Sequence, residues 1–214
     1  MKEIDIVYED ADLLVVLKPS GLLAVPGVGP DKKDCLSARV QQQWPAATVI
    51  HRLDRDTSGL MIMPLNPEAH RHLSAQFEHR KVGKTYHAVA AGVPEEAAGT
   101  IDLPIHRDWT KHDPPMYKID HERGRASVTL WKVIEAASDR SLLELTPETG
   151  RSHQLRLHLL TNGHPILGDN FYAPEKAKAM ASRLMLHATA LQFTHPVSRE
   201  PLALDVPSGF SLAE

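Results

Sequence analysis

The sequence predicts an α+β fold built on a mostly antiparallel sheet. Short apolar or alternating segments are separated by turn residues, which is typical of strands joined by hairpins. Helical segments interrupt them at irregular intervals. A doubly wound parallel fold requires regular alternation of strand and helix, and this chain lacks it.

Each predicted strand is identified by its apolar or alternating pattern between turn residues. The first two strands are joined by the acidic turn Glu9-Asp10-Ala11-Asp12, and the fourth alternates with Lys84 and Tyr86 on one face. In chain order the predicted strands are residues 4–8, 13–18, 60–65, 82–91, 126–135, 141–146, 184–194 and 202–206, with a polar loop at 27–34.

Each predicted helix is identified by helical spacing of its apolar residues or by a start signal. Leu36, Val40 and Trp44 lie at intervals of four, so they share one helix face. Asn66-Pro67-Glu68 combines a cap, a first-turn proline and a first-turn acid. The predicted helices are 35–44, capped by Asp34 and stopped by Pro45; 67–80; 153–162, capped by Ser152 and stopped by Gly163; and 174–182, opened by Pro174.

The composition allows a full hydrophobic core and argues against membrane insertion. The chain has 214 residues, 42% of them hydrophobic, which suits one large domain or two small lobes. It has no basic leader with an apolar run and no stretch of ~18 apolar residues, so we expect no signal peptide or membrane span. The single cysteine, Cys35, fits a reducing cytoplasm.

The charge distribution is compatible with RNA binding although the net charge is −3. Residues 79–87 and 151–158 are basic and contain no acid. Residues 92–124 mix cations with aromatic residues, Trp109 among them, and this combination holds unpaired RNA by stacking and phosphate contacts. The acids within 92–124 are equally compatible with an ordinary surface excursion.

The strongest candidate site is the charged stretch at residues 51–56, which contains His51, Arg52, Asp54, Arg55 and Asp56. Such a cluster is costly to bury unless its members pair with one another or with a ligand. A carboxylate between Arg52 and Arg55 stays ionised and can act as a nucleophile or a general base. The alternative is a solvated turn, but the stretch leads directly into an apolar strand.

Other chemistries are less well supported. The histidines do not have metal-ligand spacing, since His153 and His158 point apart on a helix, so we expect no metal site. Gly27-Val28-Gly29 lacks the third glycine of a dinucleotide loop, and no GxSxG motif occurs. A glycosidase would use two carboxylates, whereas a single nucleophilic carboxylate beside arginines and an aromatic fits better, with an anionic and planar substrate.

Four long segments resemble the RluA-type pseudouridine synthase family. The stretch 51–59 matches HRLDxxTSG, residues 84–88 match K-x-Y-x-A and residues 150–158 match GRxHQxRxH, while residues 18–27 resemble the KPxGxxVxPG segment. The segments 165–169 and 186–188 also fit, so the resemblance covers essentially the whole chain.

This resemblance implies a single pseudouridine synthase catalytic domain over 1–214, with a curved mixed sheet and a central cleft. It also implies an isomerase that converts uridine in RNA to pseudouridine without cofactor or metal. By resemblance Asp54 is the nucleophile, Tyr86 stacks on the flipped uracil, Arg151 pairs with Asp54, and Arg52 fills the space that the target base leaves.

The remaining implied RNA contacts are Lys84, His51, His153, Gln154, Arg156 and Trp109. Of these, His51, His153 and Arg156 are also candidates for a structural role around the site. The resemblance to the catalytic domain starts within a few residues of Met1, so we expect no N-terminal S4 domain. Within the family, this short form implies a 23S rRNA hairpin loop and the tRNA anticodon stem-loop as substrates. We further expect a cytoplasmic monomer.

Two functions from other classes remain open at this point. One is an RNA-binding protein with an inactive site, and the other is a glycoside or nucleoside hydrolase. An isomerase leaves the mass of the RNA unchanged, whereas a hydrolase releases free uracil or sugar.

Overall fold

A computed structural model of the protein describes residues 4–29, 32–112 and 114–212, so Pro30, Asp31 and Asp113 lie outside the described residues. In chain order its elements are β1 (Asp5–Glu9), β2 (Leu13–Lys18), α1 (Leu36–Val40), β3 (Ser58–Pro64), α2 (Pro67–Glu78), β4 (Gly83–Ala91), β5 (Ala98–Asp102), β6 (Ile105–Asp108), β7 (Met116–Ile119), β8 (Val128–Ala136), β9 (Arg140–Pro147), α3 (Gln154–Thr161), α4 (Glu175–Ala179), β10 (Leu186–Thr194) and β11 (Pro201–Asp205).

The chain divides into two compact units. Unit 1 comprises Met1–Lys84 and His187–Ser208, and unit 2 comprises Thr85–Leu186 and Gly209–Glu214. The prediction of a single domain over 1–214 stays a prediction. No helix among the described residues is both long and apolar enough to span a membrane.

Unit 1 contains a sheet with the strand order β1-β2-β3-β10-β11. Its pairs are antiparallel except β3 with β10, which is parallel. Strands β2 and β3 are apolar on both faces, and the side chains of residues 13–16 and 60–63 are fully buried. Helix α2 adds Leu73 to this core, so the stretch 51–57 enters a rigid central strand.

The parallel pair explains a glycine of the HRLDxxTSG motif. Gly59 pairs with Ala188 at a φ of +124°, and a Cβ at Gly59 would collide with the Ala188 backbone. Beside it, Ser58 Oγ and His187 Nδ1 are 2.8 Å apart. Only glycine allows the two strands to approach this closely.

Unit 2 contains an antiparallel sheet in the order β4-β9-β8-β5 and a separate hairpin, β6–β7. Its core contains Ala88, Leu143 and Leu145 from the sheet and Leu159 from α3. The mostly antiparallel strands and the few short helices confirm the predicted α+β class.

The structure corrects several predicted boundaries. Helix α1 covers only Leu36–Val40, and Cys35, not Asp34, caps it by accepting from the Ala38 amide. Asp34 is unavailable as a cap because its carboxylate accepts two hydrogen bonds from Arg39, at 2.8 and 2.7 Å. Helix α4 is likewise shorter than predicted and covers Glu175–Ala179.

Helix α3 begins after His153, which is left-handed (φ +57°) and makes no side-chain cap bond, so the prediction of Ser152 as N-cap was wrong. By contrast, the Asn66 side chain accepts from the Ala69 amide at 2.9 Å, which confirms the predicted start of α2. The region 92–124, for which the sequence predicts no strand or helix, contains β5, β6 and β7. These strands are only four or five residues long, and such short segments give too little periodicity to identify from the sequence.

Candidate active site

The backbone around Asp54 is held by the KPSG segment of unit 1. The Gly21 amide donates to the Arg55 carbonyl at 2.9 Å, and Ser20 Oγ donates to the Asp56 carbonyl at 2.7 Å. In return, Arg55 Nε donates to the Gly21 carbonyl at 3.1 Å. Asp54 itself is half-buried, and its carbonyl accepts from the Thr57 amide. The main chain from Asp54 to Asp56 is therefore held by these hydrogen bonds.

Lys18 lies fully buried beneath this loop. Its Nζ donates to the carbonyls of Pro19, Leu22 and Arg55 at 2.9, 2.8 and 2.9 Å, which uses all three ammonium protons. Burial lowers the pKa of Lys18 to about 8, while the negative charges of Asp56 and Asp54 act to raise it. No role for Lys18 was predicted, although a lysine at the end of an apolar strand is a signal that the sequence contains.

The His51 side chain makes its contacts with other residues of unit 1. Its Nε2 accepts from the Ile62 amide at 2.9 Å, and its ring stacks on Phe77 with centroids 4.4 Å apart. Burial, followed by the charge of Lys84, lowers the pKa of His51 to about 3, so the ring is neutral. The structure therefore favours the structural role for His51 over RNA contact.

Arg52 and Lys84 are the cations of unit 1 near this stretch. Arg52 is exposed. Lys84 is half-buried, and burial followed by the nearby charge of Arg80 lowers its pKa. Its positive charge also acts to lower the pKa of His51.

In unit 2 the amide of Gln154 fixes the turn that carries Arg151. Gln154 Oε1 accepts from the Arg151 amide at 3.0 Å and from Thr149 Oγ1 at 2.7 Å. Its Nε2 donates to the Val128 carbonyl at 2.9 Å and to Thr129 Oγ1 at 3.0 Å. Gln154 is only 4% exposed and its hydrogen bonds are satisfied within the protein, so it positions Arg151 and is not available to RNA.

Arg156 is also directed into the protein. It is 2% exposed and forms a bidentate ion pair with Asp169, at 2.8 and 2.5 Å. Its guanidinium stacks on Phe171 and Tyr172. A buried pair of this kind fixes a fold and leaves no group for substrate, so Arg156 is structural.

His153 belongs to the same aromatic cluster. Its Nδ1 lies 2.6 Å from Tyr172 Oη, and its ring meets the edge of Tyr117. Tyr172 Oη also accepts a hydrogen bond from the amide of Tyr117 on β7, at 3.0 Å. Tyr172 therefore links the β6–β7 hairpin to His153 at the start of α3. This supports a structural role for His153.

The remaining predicted residues of unit 2 lie on its strands or at its surface. Tyr86 is half-buried on β4, opposite Leu145 of β9. Trp109 follows β6 and is 59% exposed, with the Arg107 guanidinium 4.3 Å from its ring centre. Stacking by Arg107 holds the indole while leaving ring surface in solvent.

The structure distributes the predicted site residues over both units. Unit 1 contains His51, Arg52, Asp54 and Lys84, and unit 2 contains Tyr86, Trp109, Arg151, His153, Gln154 and Arg156. The pairing of Asp54 with Arg151 stays a prediction.

One group of potential metal ligands occurs among the described residues, at Asp10, Asp12 and His195. Its oxygens are already used: Asp10 Oδ2 accepts from Tyr8 Oη at 2.6 Å and from His195 Nε2 at 2.8 Å, and Oδ1 accepts two backbone amides. Burial acts to raise the pKa of Asp10, but these hydrogen bonds lower it overall. The hydrogen bond between Asp10 and His195 joins the β1–β2 turn to the β10–β11 turn.

Comparison with known proteins gives consistent matches. The sequence model of the RNA pseudouridylate synthase family matches residues 12–161. The chain is 48% identical to the dual-specificity RNA pseudouridine synthase RluA of Yersinia pestis, over 92% of this chain and 95% of that protein. It is 45% identical to the Escherichia coli K12 protein of the same name, over 96% and 93% of the two chains.

Two solved structures share the fold. Human RNA pseudouridylate synthase domain containing 1 aligns with a TM-score of 0.80 and 31% identity, over 96% of this chain and 83% of that one. Human RNA pseudouridylate synthase domain containing 4 aligns with a TM-score of 0.76 and 27% identity, over 94% and 87%.

Proposed function

Because the chain belongs to the RNA pseudouridylate synthase family, and is therefore an isomerase that converts uridine to pseudouridine in RNA, we propose that Asp54 is the nucleophile of this reaction. The observation that carries the proposal is the fixed loop around Asp54, whose neighbour Arg55 is bonded through its carbonyl to buried Lys18. A carboxylate on such a loop is oriented before substrate binds.

The Asp54 carboxylate attacks either the ribose anomeric carbon or the uracil ring. On either path the bond from N1 to the ribose breaks and the released uracil turns. A new bond then forms from C5 to the ribose, the C5 proton leaves, N1 gains a proton, and Asp54 is regenerated as a carboxylate. The product is an isomer of the substrate, so no oxidant or co-substrate is consumed.

Three further residues serve this reaction in the proposal. Arg151 is the partner that orients the Asp54 carboxylate, a role that the turn held by Gln154 supports. Tyr86 stacks on the flipped uracil and assists removal of the C5 proton. Arg52, which is exposed, fills the space that the extruded base leaves in the RNA.

The proposed substrates are a 23S rRNA hairpin loop and the tRNA anticodon stem-loop. The similarity to relatives named as dual-specificity enzymes supports two RNA substrates. The exposed Trp109 with Arg107 behind it offers a stacking surface for an unpaired base of such a loop. Lys84 provides a further RNA contact. We also propose that the protein acts as a monomer in the cytoplasm.

Release of tritium from C5-labelled uridine in stem-loop RNA tests the proposal, with Asp54→Asn compared to Asp56→Asn. Asp54→Asn is expected to abolish tritium release while RNA affinity falls little, and Asp56→Asn to retain most activity. Substantial turnover by Asp54→Asn removes Asp54 from its role. Free uracil in the product would instead indicate a nucleoside hydrolase, and RNA binding by the wild type without tritium release would indicate an inactive binding protein.

A further inference from the structure

Two arginines of unit 1 adopt a backbone conformation that favours glycine. Arg80 has a φ of +55° and Arg199 a φ of +67°. A Cβ makes this left-handed region unfavourable, so glycine would fit each turn at lower free energy. A backbone conformation that lowers stability is often found where the side chain has a function.

Arg80 occupies the turn that ends α2. The Arg80 amide donates to the Phe77 carbonyl at 3.2 Å and the Lys81 amide to the Gln76 carbonyl at 2.8 Å, which is the Schellman arrangement in which glycine usually takes the left-handed position. A cation does complement the negative end of a helix. That effect accounts for a charge near the turn but does not require it on the left-handed residue.

Arg199 occupies the turn between β10 and β11. Its amide donates to the His195 carbonyl at 3.2 Å, and the His195 amide donates to the Glu200 carbonyl at 2.8 Å. No helix ends at this turn, so the helix dipole gives no reason for a cation here.

The two turns flank one groove of about 190 Å³, lined by His72, Ala75, Gln76, His79, Lys81 and Thr194. Arg80 lies between two of the lining residues in sequence. The charge of Arg199 acts on another lining residue, His72. Burial is the largest cause that lowers the pKa of His72, and the charge of Arg199 is the next. Lys81 and His195 also act to lower this pKa, whereas Glu68 acts to raise it.

The wall of this groove is rigid. Gln76 is buried, and its side chain donates to the Thr194 carbonyl at 2.7 Å and accepts from the Thr194 amide at 2.8 Å. The Gln76 side-chain nitrogen Nε2 also lies 3.1 Å from His72 Nδ1. Gln76 therefore joins α2 to the end of β10 and fixes the positions of both arginine-bearing turns.

The two guanidinium groups are available to a ligand. Arg80 and Arg199 are exposed, and within the described parts of the chain neither forms an ion pair with a carboxylate. The planar guanidinium matches the oxygens of a phosphate, and His79 and Lys81 add further donors along the groove.

We propose that the groove between the α2 turn and the β10–β11 turn binds the phosphodiester backbone of the substrate RNA, outside the segment that contains the target uridine, with Arg80 and Arg199 as its phosphate ligands. The proposal rests on RNA being the substrate and not on the role assigned to Asp54. Phosphate binding by these two side chains gives a functional reason for keeping arginine at positions where the backbone conformation favours glycine.

Arg80→Gly, Arg199→Gly and the double variant test this directly, because glycine removes the charge and relieves the backbone at once. Thermal unfolding should show stability retained or raised. Binding of a tRNA stem-loop, followed by fluorescence anisotropy at several salt concentrations, should weaken by about 3- to 10-fold per arginine, and the slope of log K against log salt should decrease by about 1 for each.

Matched variants separate charge from backbone. Arg80→Lys and Arg199→Lys keep the charge but lose the planar guanidinium, so they should retain the salt slope of the wild type and bind more tightly than the glycine variants. Lys176→Gln removes an exposed cation of α4 and should leave affinity unchanged. If a glycine variant does not fold, Arg80→Asn and Arg199→Asn replace it, since asparagine tolerates the left-handed region.

Unchanged affinity and salt slope in a folded double variant would overturn the proposal. A second RNA, short and single-stranded, carries only the target uridine and its immediate neighbours. If the double variant loses as much affinity for this short RNA as for the stem-loop, the arginines contact the target segment and the proposal is also overturned. Binding is measured without turnover, so a wild type that binds RNA but releases no tritium would refute the role of Asp54 and leave this test intact.

Discussion

Lys18 Nζ donates a hydrogen bond to the main-chain carbonyl of Arg55 at 2.9 Å, directly after Asp54 in the chain. The same ammonium group bonds the carbonyls of Pro19 and Leu22. One buried cation thus joins the KPxG and HRLD motifs, which are separated by more than thirty residues in sequence.

We predict that Lys18→Met lowers both stability and turnover. Methionine fills similar space but leaves three buried carbonyls without a donor, so unfolding free energy should fall by about 3–5 kcal/mol in urea denaturation. At a temperature where the variant is folded, kcat should fall because the Asp54 loop is no longer fixed. Lys33→Met, at an exposed position, is the control; equal stability of the two variants would contradict the prediction.

We predict that His51 contributes to acid sensitivity. Its pKa is about 3 in the folded protein against an ordinary value of 6.5, so between these values the unfolded chain binds more protons. Stability from neutral His51 is therefore present above pH 6.5 and is lost as the pH falls toward 3, by about 2 kcal/mol between pH 7 and 5. His51→Gln cannot titrate, so its stability curve should be flatter by that amount; parallel curves would contradict this.

We predict that Gln154 acts through Arg151. Gln154→Leu removes the acceptor of the Arg151 amide and should lower kcat more than it raises KM, with about 2–4 kcal/mol lost in stability. Thr129→Val removes one partner of the Gln154 amide nitrogen and leaves its oxygen on Arg151, so its kcat should stay much closer to the wild type. An equal loss of kcat in both variants would show that stability alone is responsible.

We predict that Gly59→Ala is far more destabilising than Gly21→Ala. Both glycines have positive φ, but a Cβ at Gly21 meets no atom within 4 Å, whereas at Gly59 it meets the Ala188 backbone. Gly21→Ala should therefore cost about 1 kcal/mol from backbone strain alone. Gly59→Ala adds displacement of a parallel strand pair and should cost at least about 3 kcal/mol, measured by chemical denaturation.

Much of the local structure could be predicted because its causes are local. Asn66 caps α2 through contacts within three residues, and β2 and β3 are strands because their apolar runs suit a buried sheet. Helix α1 was predicted too long because pattern alone does not show that Asp34 is bound by Arg39. The hairpin β6–β7 was missed because it depends on contacts with Tyr172 and His153.

The α+β class, the family and the candidate nucleophile Asp54 could be predicted from the amino-acid sequence, because each depends on periodicity or on motifs of adjacent residues. Three roles are visible only in the folded protein: Lys18 fixes the Asp54 loop, Arg156 pairs with Asp169, and Gln154 fixes the turn of Arg151. These roles depend on which distant carbonyl, carboxylate or amide the fold places within hydrogen-bonding distance, and spacing along the chain carries no information about that.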